Sequence, residues 1–92
     1  MSENSQRIAM IREKLEASFN PSQLEIIDES HKHAGHAGAR GGGHFVVHIV
    51  AEQFAGKNPI QRHRMVYDAM GELMQTEVHA LSIKAEAPAE SN

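Results

Sequence analysis

The stretch that most constrains this chain is His44-Phe-Val-Val-His-Ile-Val50. Its alternation sets Phe45, Val47 and Ile49 on one side of a strand and His44, Val46, His48 and Val50 on the other. Such a strand needs hydrogen-bonding neighbours and a cover for its apolar face. Two other segments have strand character. In Leu24–Asp28, Leu24 and Ile26 share a side, and in Val78–Ala85, His79, Leu81 and Ile83 share parity. The first is expected to form a hairpin with His44–Val50.

The cover comes from two helical patterns. From Ser5 to Phe19 the residues Ile8, Ile11, Leu15 and Phe19 recur at helical steps, and Asn20-Pro21 ends the run. Gly56 closes a turn, and Asn58-Pro59-Ile60-Gln61 reads as an N-cap, a proline at the first helical position and a capping-box glutamine. A helix is expected from Pro59 to about Met74, with Ile60, Val66, Tyr67, Met70, Leu73 and Met74 packed on the sheet. One further helical turn fits near Gln53 to Asn58. Between the first two strands, Glu29–Gly43 holds Gly35, Gly38, Gly41, Gly42 and Gly43 together with His31, His33 and His36, a composition expected to form a long mobile loop. Residues 1–4 are expected to be flexible and residues 86–92 to be a frayed tail.

The resulting order, α-β-β-α-β, predicts an α+β fold with helices on one face of a three-stranded mixed sheet, the element order of KH-like domains. A KH domain clamps nucleic acid with a Gly-x-x-Gly loop between two helices. Here that spelling occurs only as Gly35-His-Ala-Gly38, between strands, so a KH mechanism lacks its main support.

With 92 residues and 40% hydrophobic content, the chain suits one domain over 1–92 and leaves little room for a deep pocket, which disfavours an enzyme. The formal charge of −3 confines any DNA role to a local patch. No apolar run is long enough to span a bilayer and Met1–Arg7 is polar, so a cytoplasmic or organellar location is expected. The sequence has no cysteine and seven histidines. It can offer a metal imidazoles but no thiolate.

Four motifs, Leu24-Glu-Ile-Ile-Asp-Glu-Ser30, Gly43-His-Phe45, Gln61-Arg-His-Arg-Met-Val-Tyr67 and Val78-His-Ala-Leu81, together resemble the BolA family in order and spacing. The resemblance implies a KH-like α+β fold and a partnership with monothiol glutaredoxins in iron–sulfur and iron homeostasis. For some bacterial members it also implies transcriptional regulation through DNA. It further implies a [2Fe–2S] cluster shared between the two proteins. On this side the ligands would be the histidine of the Val-His-Ala segment, which maps to His79, and one from the loop between the first strands. The Ser30-His-Lys-His33 stretch puts His33 first for the loop ligand, with His31 and His36 as alternatives. The loop here is longer and richer in glycine than the family pattern, which leaves the loop ligand open.

Such a cluster takes four ligands, and in Rieske centres two histidines replace two cysteines on one iron. A chain without cysteine can supply only that half, so the isolated chain is expected to bind no cluster. The resemblance implies that a glutaredoxin cysteine and a glutathione thiolate supply the rest. Each histidine also has a plainer reading. His79 can cap the core edge, the loop histidines can be solvated residues with adventitious Zn²⁺ or Ni²⁺ affinity, and His44 and His48 read as surface residues. His63, mid-stripe, reads as a hydrogen-bonded core histidine. Arg62 and Arg64 fall about 160° apart on a helix, so each is expected to meet a partner or cap a carboxylate separately. The alternative function, a DNA-binding regulator, would use Lys57, Arg62 and Arg64 against phosphates. A His-metal hydrolase ranks third because no carboxylate–histidine pair at fixed helical spacing accompanies the loop. Whether the free chain forms a homodimer is left open.

Overall fold

The computed structural model describes residues 3–29, 43–76 and 78–90. Helix α1 (Glu3–Phe19) is followed by strands β1 (Gln23–Asp28) and β2 (Gly43–Val50). After a 3-10 turn at Glu52–Phe54 come helix α2 (Pro59–Met70), a short helix α3 (Leu73–Thr76), strand β3 (Val78–Glu86) and a second 3-10 turn at Pro88–Glu90. The expected α-β-β-α-β order and the mixed three-stranded sheet are both present. The strand order is β1-β2-β3, with β1 antiparallel and β3 parallel to the central β2.

The alternation of β2 sets the core. Phe45, Val47 and Ile49 are buried beneath Ile11, Leu15 and Phe19 of α1 and Val66 and Met70 of α2. Cross-strand pairs Leu24↔Ile49 and Ile26↔Val47 continue this apolar side into β1. On the opposite side His44, Val46 and His48 are half-buried, as on a sheet with one solvated face. Val50 has the same parity yet is buried. It is the last residue of the central strand, flanked by Gln23 and Glu86.

Helix α1 ends at Asn20, which takes a left-handed φ of 47° and donates its N–H to the Glu16 carbonyl at 3.0 Å. The start of α2 is the expected capping box. The Gln61 N–H donates to Asn58 Oδ1 at 2.8 Å, and the Asn58 N–H donates to Gln61 Oε1 at 2.9 Å.

Four expectations are corrected. Helix α2 stops at Met70, not Met74, because Gly71 adopts φ 58° and ψ −130°, a backbone region suited to glycine. The buried arc of α2 is Met65, Val66, Ala69 and Met70, whereas Ile60 is 68% and Tyr67 40% exposed. At about 100° per residue these two lie roughly opposite that arc. The C-terminal segment is not frayed through residue 90. The Ala51 N–H donates to the Glu86 carbonyl at 3.0 Å, Ala87 is buried, and Glu90 closes the last turn onto the Ala87 carbonyl at 2.9 Å. Finally, Gly43, the last residue of the expected 29–43 loop, is the first residue of β2. The Glu29 N–H donates to the His44 carbonyl at 2.8 Å, and Gly43 pairs with Val78. The rest of that segment, residues 30–42 with His31, His33 and His36, lies outside the described residues, as do residues 1–2 and 91–92.

Phe54 was not singled out by any periodicity, yet it is completely buried. The Glu52–Phe54 turn presents its ring to Phe19, with centroids 5.0 Å apart. Gly56, at φ 77°, then reverses the chain toward α2.

Candidate functional site

The ladder between β2 and β3 is regular except at one place. Gly43 pairs with Val78 but His44 pairs with Ala80, so His79 is the extra residue of a bulge. Val78 and Leu81 are both buried although three positions apart, which a strand of strict period two does not permit. Counting back from Leu81 and Ile83 therefore does not by itself assign a face to His79. Bulges often mark places where a strand re-aims a side chain. This one lies at the sheet end where β1 finishes and β2 begins, beside Glu29 and Gly43, the two anchors of the histidine-rich segment. Among the described residues no three histidines or carboxylates gather into a metal-binding group.

The remaining histidines divide. His48 places Nε2 2.7 Å from Glu86 Oε1, both side chains part-buried on the open face of the sheet. His44 is half-buried on that face. His63 is exposed, with its ring edge-on to Tyr67 at a centroid separation of 6.3 Å, so the expected core histidine is corrected to a surface residue. The physical reason is the rotated buried arc of α2, which turns His63 outward with Ile60 and Tyr67.

The three basic candidates also differ. Lys57 and Arg64 are exposed. Arg62 is held: its Nε–H donates to the Lys57 carbonyl at 2.8 Å and one terminal nitrogen donates to the Ala85 carbonyl at 2.9 Å. Its two terminal nitrogens also grip Glu90 Oε1 and Oε2 at 2.7 and 2.8 Å. Arg62 thus caps a carboxylate, one of the two roles its position allowed. The Arg62 hydrogen bonds, aided by the Ala87 N–H, lower the Glu90 carboxyl from 4.5 to about 2. Sequence reasoning missed Glu86 and Glu90 as partners, since nothing local in the C-terminal segment ties them to residues 38 and 28 positions away.

A cleft of about 460 Å³ lies at the other end of the sheet, between Phe19, Ser22, Ala51, Glu52 and Pro88. Its one titratable lining residue is Glu52, so it pairs no acid with a base. No helix among the described residues is long and apolar enough to cross a membrane.

The family model for BolA-like proteins matches residues 15–90. The chain is 45% identical over 86 residues to SufE-like protein 1, chloroplastic/mitochondrial, of Arabidopsis thaliana, covering 87% of this chain and 23% of that one. It is 44% identical over 73 residues to the DNA-binding transcriptional regulator BolA of Escherichia coli, covering 79% of this chain and 68% of that one. BolA1 from Arabidopsis thaliana superimposes with a TM-score of 0.79 at 44% identity, over 91% of this chain and 94% of that one. Against several curated relatives the chain spans only 23% to 59% of their length. Family model, sequence identity and shared topology agree that the chain belongs to the BolA-like protein family.

Proposed function

We propose that this chain is a non-enzymatic accessory protein of iron–sulfur homeostasis. It binds a monothiol glutaredoxin as a heterodimer and shares a [2Fe–2S] cluster with it through His79 and one histidine of the 31–36 segment, His33 first. The observation that supports this most is the bulge at His79. It interrupts the sheet at the end where the segment bearing His31, His33 and His36 is anchored by Glu29 and Gly43.

The donor set fits a shared cluster. With no cysteine in the sequence, two imidazoles can complete one iron, and thiolates from the glutaredoxin and glutathione would complete the other. When bound, the cluster supplies a transferable iron–sulfur unit with its own redox capacity. The part of this chain is to present neutral imidazole nitrogens, one from the bulge between the paired residues Val78 and Ala80 and one from the glycine-rich segment bearing His33. Because protons compete for the same nitrogens, acidification toward the imidazole range should release the cluster.

The test is the ultraviolet–visible spectrum after anaerobic reconstitution with a monothiol glutaredoxin and glutathione. His79→Ala should abolish or restructure the cluster bands while the chain still folds, and His33→Ala should weaken them less, with His31 and His36 as substitutes. A His79→Ala complex with the wild-type spectrum and acid sensitivity would overturn the reading.

A second reading, a DNA-binding regulator, draws on the name of the Escherichia coli relative. It would use Lys57, Arg64 and Arg62, although the Arg62 fork is already occupied by Glu90 and the formal charge is −3. Such binding should be weak and nearly lost between low and physiological salt. A salt-insensitive, sequence-selective complex would make it the primary reading. An organellar setting has support in the names of the plant relatives, and import of a labelled chain into isolated organelles would test it.

A further inference from the structure

The outward arc of α2 carries two large exposed apolar side chains, Ile60 and Tyr67, where an exposed helix face is ordinarily polar. Pro59, Ile60, His63, Arg64 and Tyr67 line a groove of about 260 Å³ whose walls are almost wholly carbon. Beside it, and sharing Pro59 and His63, lies a second groove of about 190 Å³, closed by Arg62, Ile83, Lys84 and Ala85. Each is below the roughly 300–1,000 Å³ of a usual small-molecule site and is open to solvent, a size suited to single side chains.

The two grooves differ in what they would accept. Ile60, 68% exposed, and Tyr67, 40% exposed, offer an apolar seat. Around the neighbouring groove stand Arg62, His63 and Lys84, with Arg64 at the rim of the first, on a chain whose formal charge is −3. Glu90 already lies on Arg62 in a two-pronged pair, which shows that carboxylates are accommodated here. Among the described residues no carboxylate is paired with Lys84 or Arg64. The exposed Asp68, one turn beyond Arg64, is the other acid on this side of α2.

We infer that this face of α2 and β3 is a docking surface for an extended segment of a partner protein in which a large apolar side chain stands next to carboxylates. The apolar side chain enters between Ile60 and Tyr67, a carboxylate on one side of it meets Lys84 across His63, and a carboxylate on the other side meets Arg64. A phosphate backbone would use the cations but would leave the apolar groove unfilled, which favours a peptide over nucleic acid. Lys84 is five residues along β3 from His79, roughly 16 Å at about 3.3 Å per residue, so this surface is separate from the bulge and does not depend on cluster binding.

The experiment titrates the free full-length chain with a short labelled peptide alternating glutamate and leucine, with the same peptide carrying glutamine for glutamate, and with a short DNA duplex. Amide shifts and fluorescence anisotropy are read together. The acidic peptide should move the amides of residues 60–67 and 83–85, and the glutamine peptide should bind at least about fivefold more weakly. Ile60→Ser, at an exposed position and so expected to fold normally by circular dichroism, should weaken the acidic peptide by a similar factor, as should Lys84→Gln. His79→Ala should leave its binding unchanged. The inference is overturned if neither peptide moves those amides, if both bind equally, if Ile60→Ser binds as the wild type does, or if only the duplex perturbs this face.

Discussion

The two ends of the sheet are built differently. Where β1 begins and β2 and β3 finish, the chain is tied repeatedly. Ser22 donates its N–H to the Val50 carbonyl at 2.9 Å, Ala51 bonds to Glu86, Phe54 plugs the end of the core, and Arg62 clamps Glu90. At the opposite end the β2–β3 ladder slips by one residue at His79, and the histidine-rich segment leaves after Glu29 and returns at Gly43. A packed, hydrogen-bonded end keeps the domain folded, whereas an interrupted one leaves a residue outside the ladder. In this fold, stability and the proposed ligand chemistry are assigned to opposite ends of the same strands.

Phe54→Ala strikes the tied end most severely. A fully buried phenylalanine removed from the tied end should cost about 3–5 kcal/mol in denaturant unfolding. A loss near zero would mean that this end is not where the fold is held.

Next in size is Arg62→Ala, which removes hydrogen bonds to Lys57, Ala85 and Glu90 together. The pair is partly solvated, with Glu90 about half exposed, so screening limits the loss to about 1 kcal/mol. The amides of residues 87–90 should also lose protection from hydrogen exchange. Unchanged exchange there would show that the C-terminal turn is held by Ala87 burial alone.

Acid acts on the same clamp. Because the Glu90 carboxyl is lowered from 4.5 to about 2, its contribution is fully present above the unfolded value. It is lost as pH falls through the folded one. The C-terminal turn should therefore stay clamped at pH 5 and release between about pH 4.5 and 2, followed by the Glu90 side-chain carbon shift and the amides of its turn. Titration of Glu90 near an ordinary carboxyl value would contradict the two-pronged geometry.

The smallest expected effect is that of His63→Ala. A buried histidine there would have left a gap, but the exposed ring touching Tyr67 predicts a change within about 0.5 kcal/mol. A larger loss by the same unfolding measurement would return His63 to the core.

Much of the framework was legible because it rests on local rules. The alternation of Phe45, Val47 and Ile49, the spacing of Ile11, Leu15 and Phe19, and the Asn58–Gln61 box each act over a few residues and survive in the structure. The motifs from Leu24 to Leu81 identified the family, and the family model and solved structures agree. Of the candidate site, the sequence supplied the residue types but not their setting. Parity could not describe His79, because a bulge is invisible to a count that assumes period two. The face of α2 was misread because Ile60 and Tyr67 are apolar and lie on one stripe, and a helical wheel does not say which stripe the sheet will cover.

Local rules along the sequence set the element order, the inner face of the sheet and the start of α2, and the absence of cysteine leaves no thiolate to offer a metal. Tertiary structure decided which face of α2 is buried, where the strand register slips, and that Glu90 reaches back to Arg62 across 28 positions. Periodicity and capping are properties of neighbours along the chain. Register, burial of a particular stripe and long-range ion pairing arise only when separate elements compete for the same space.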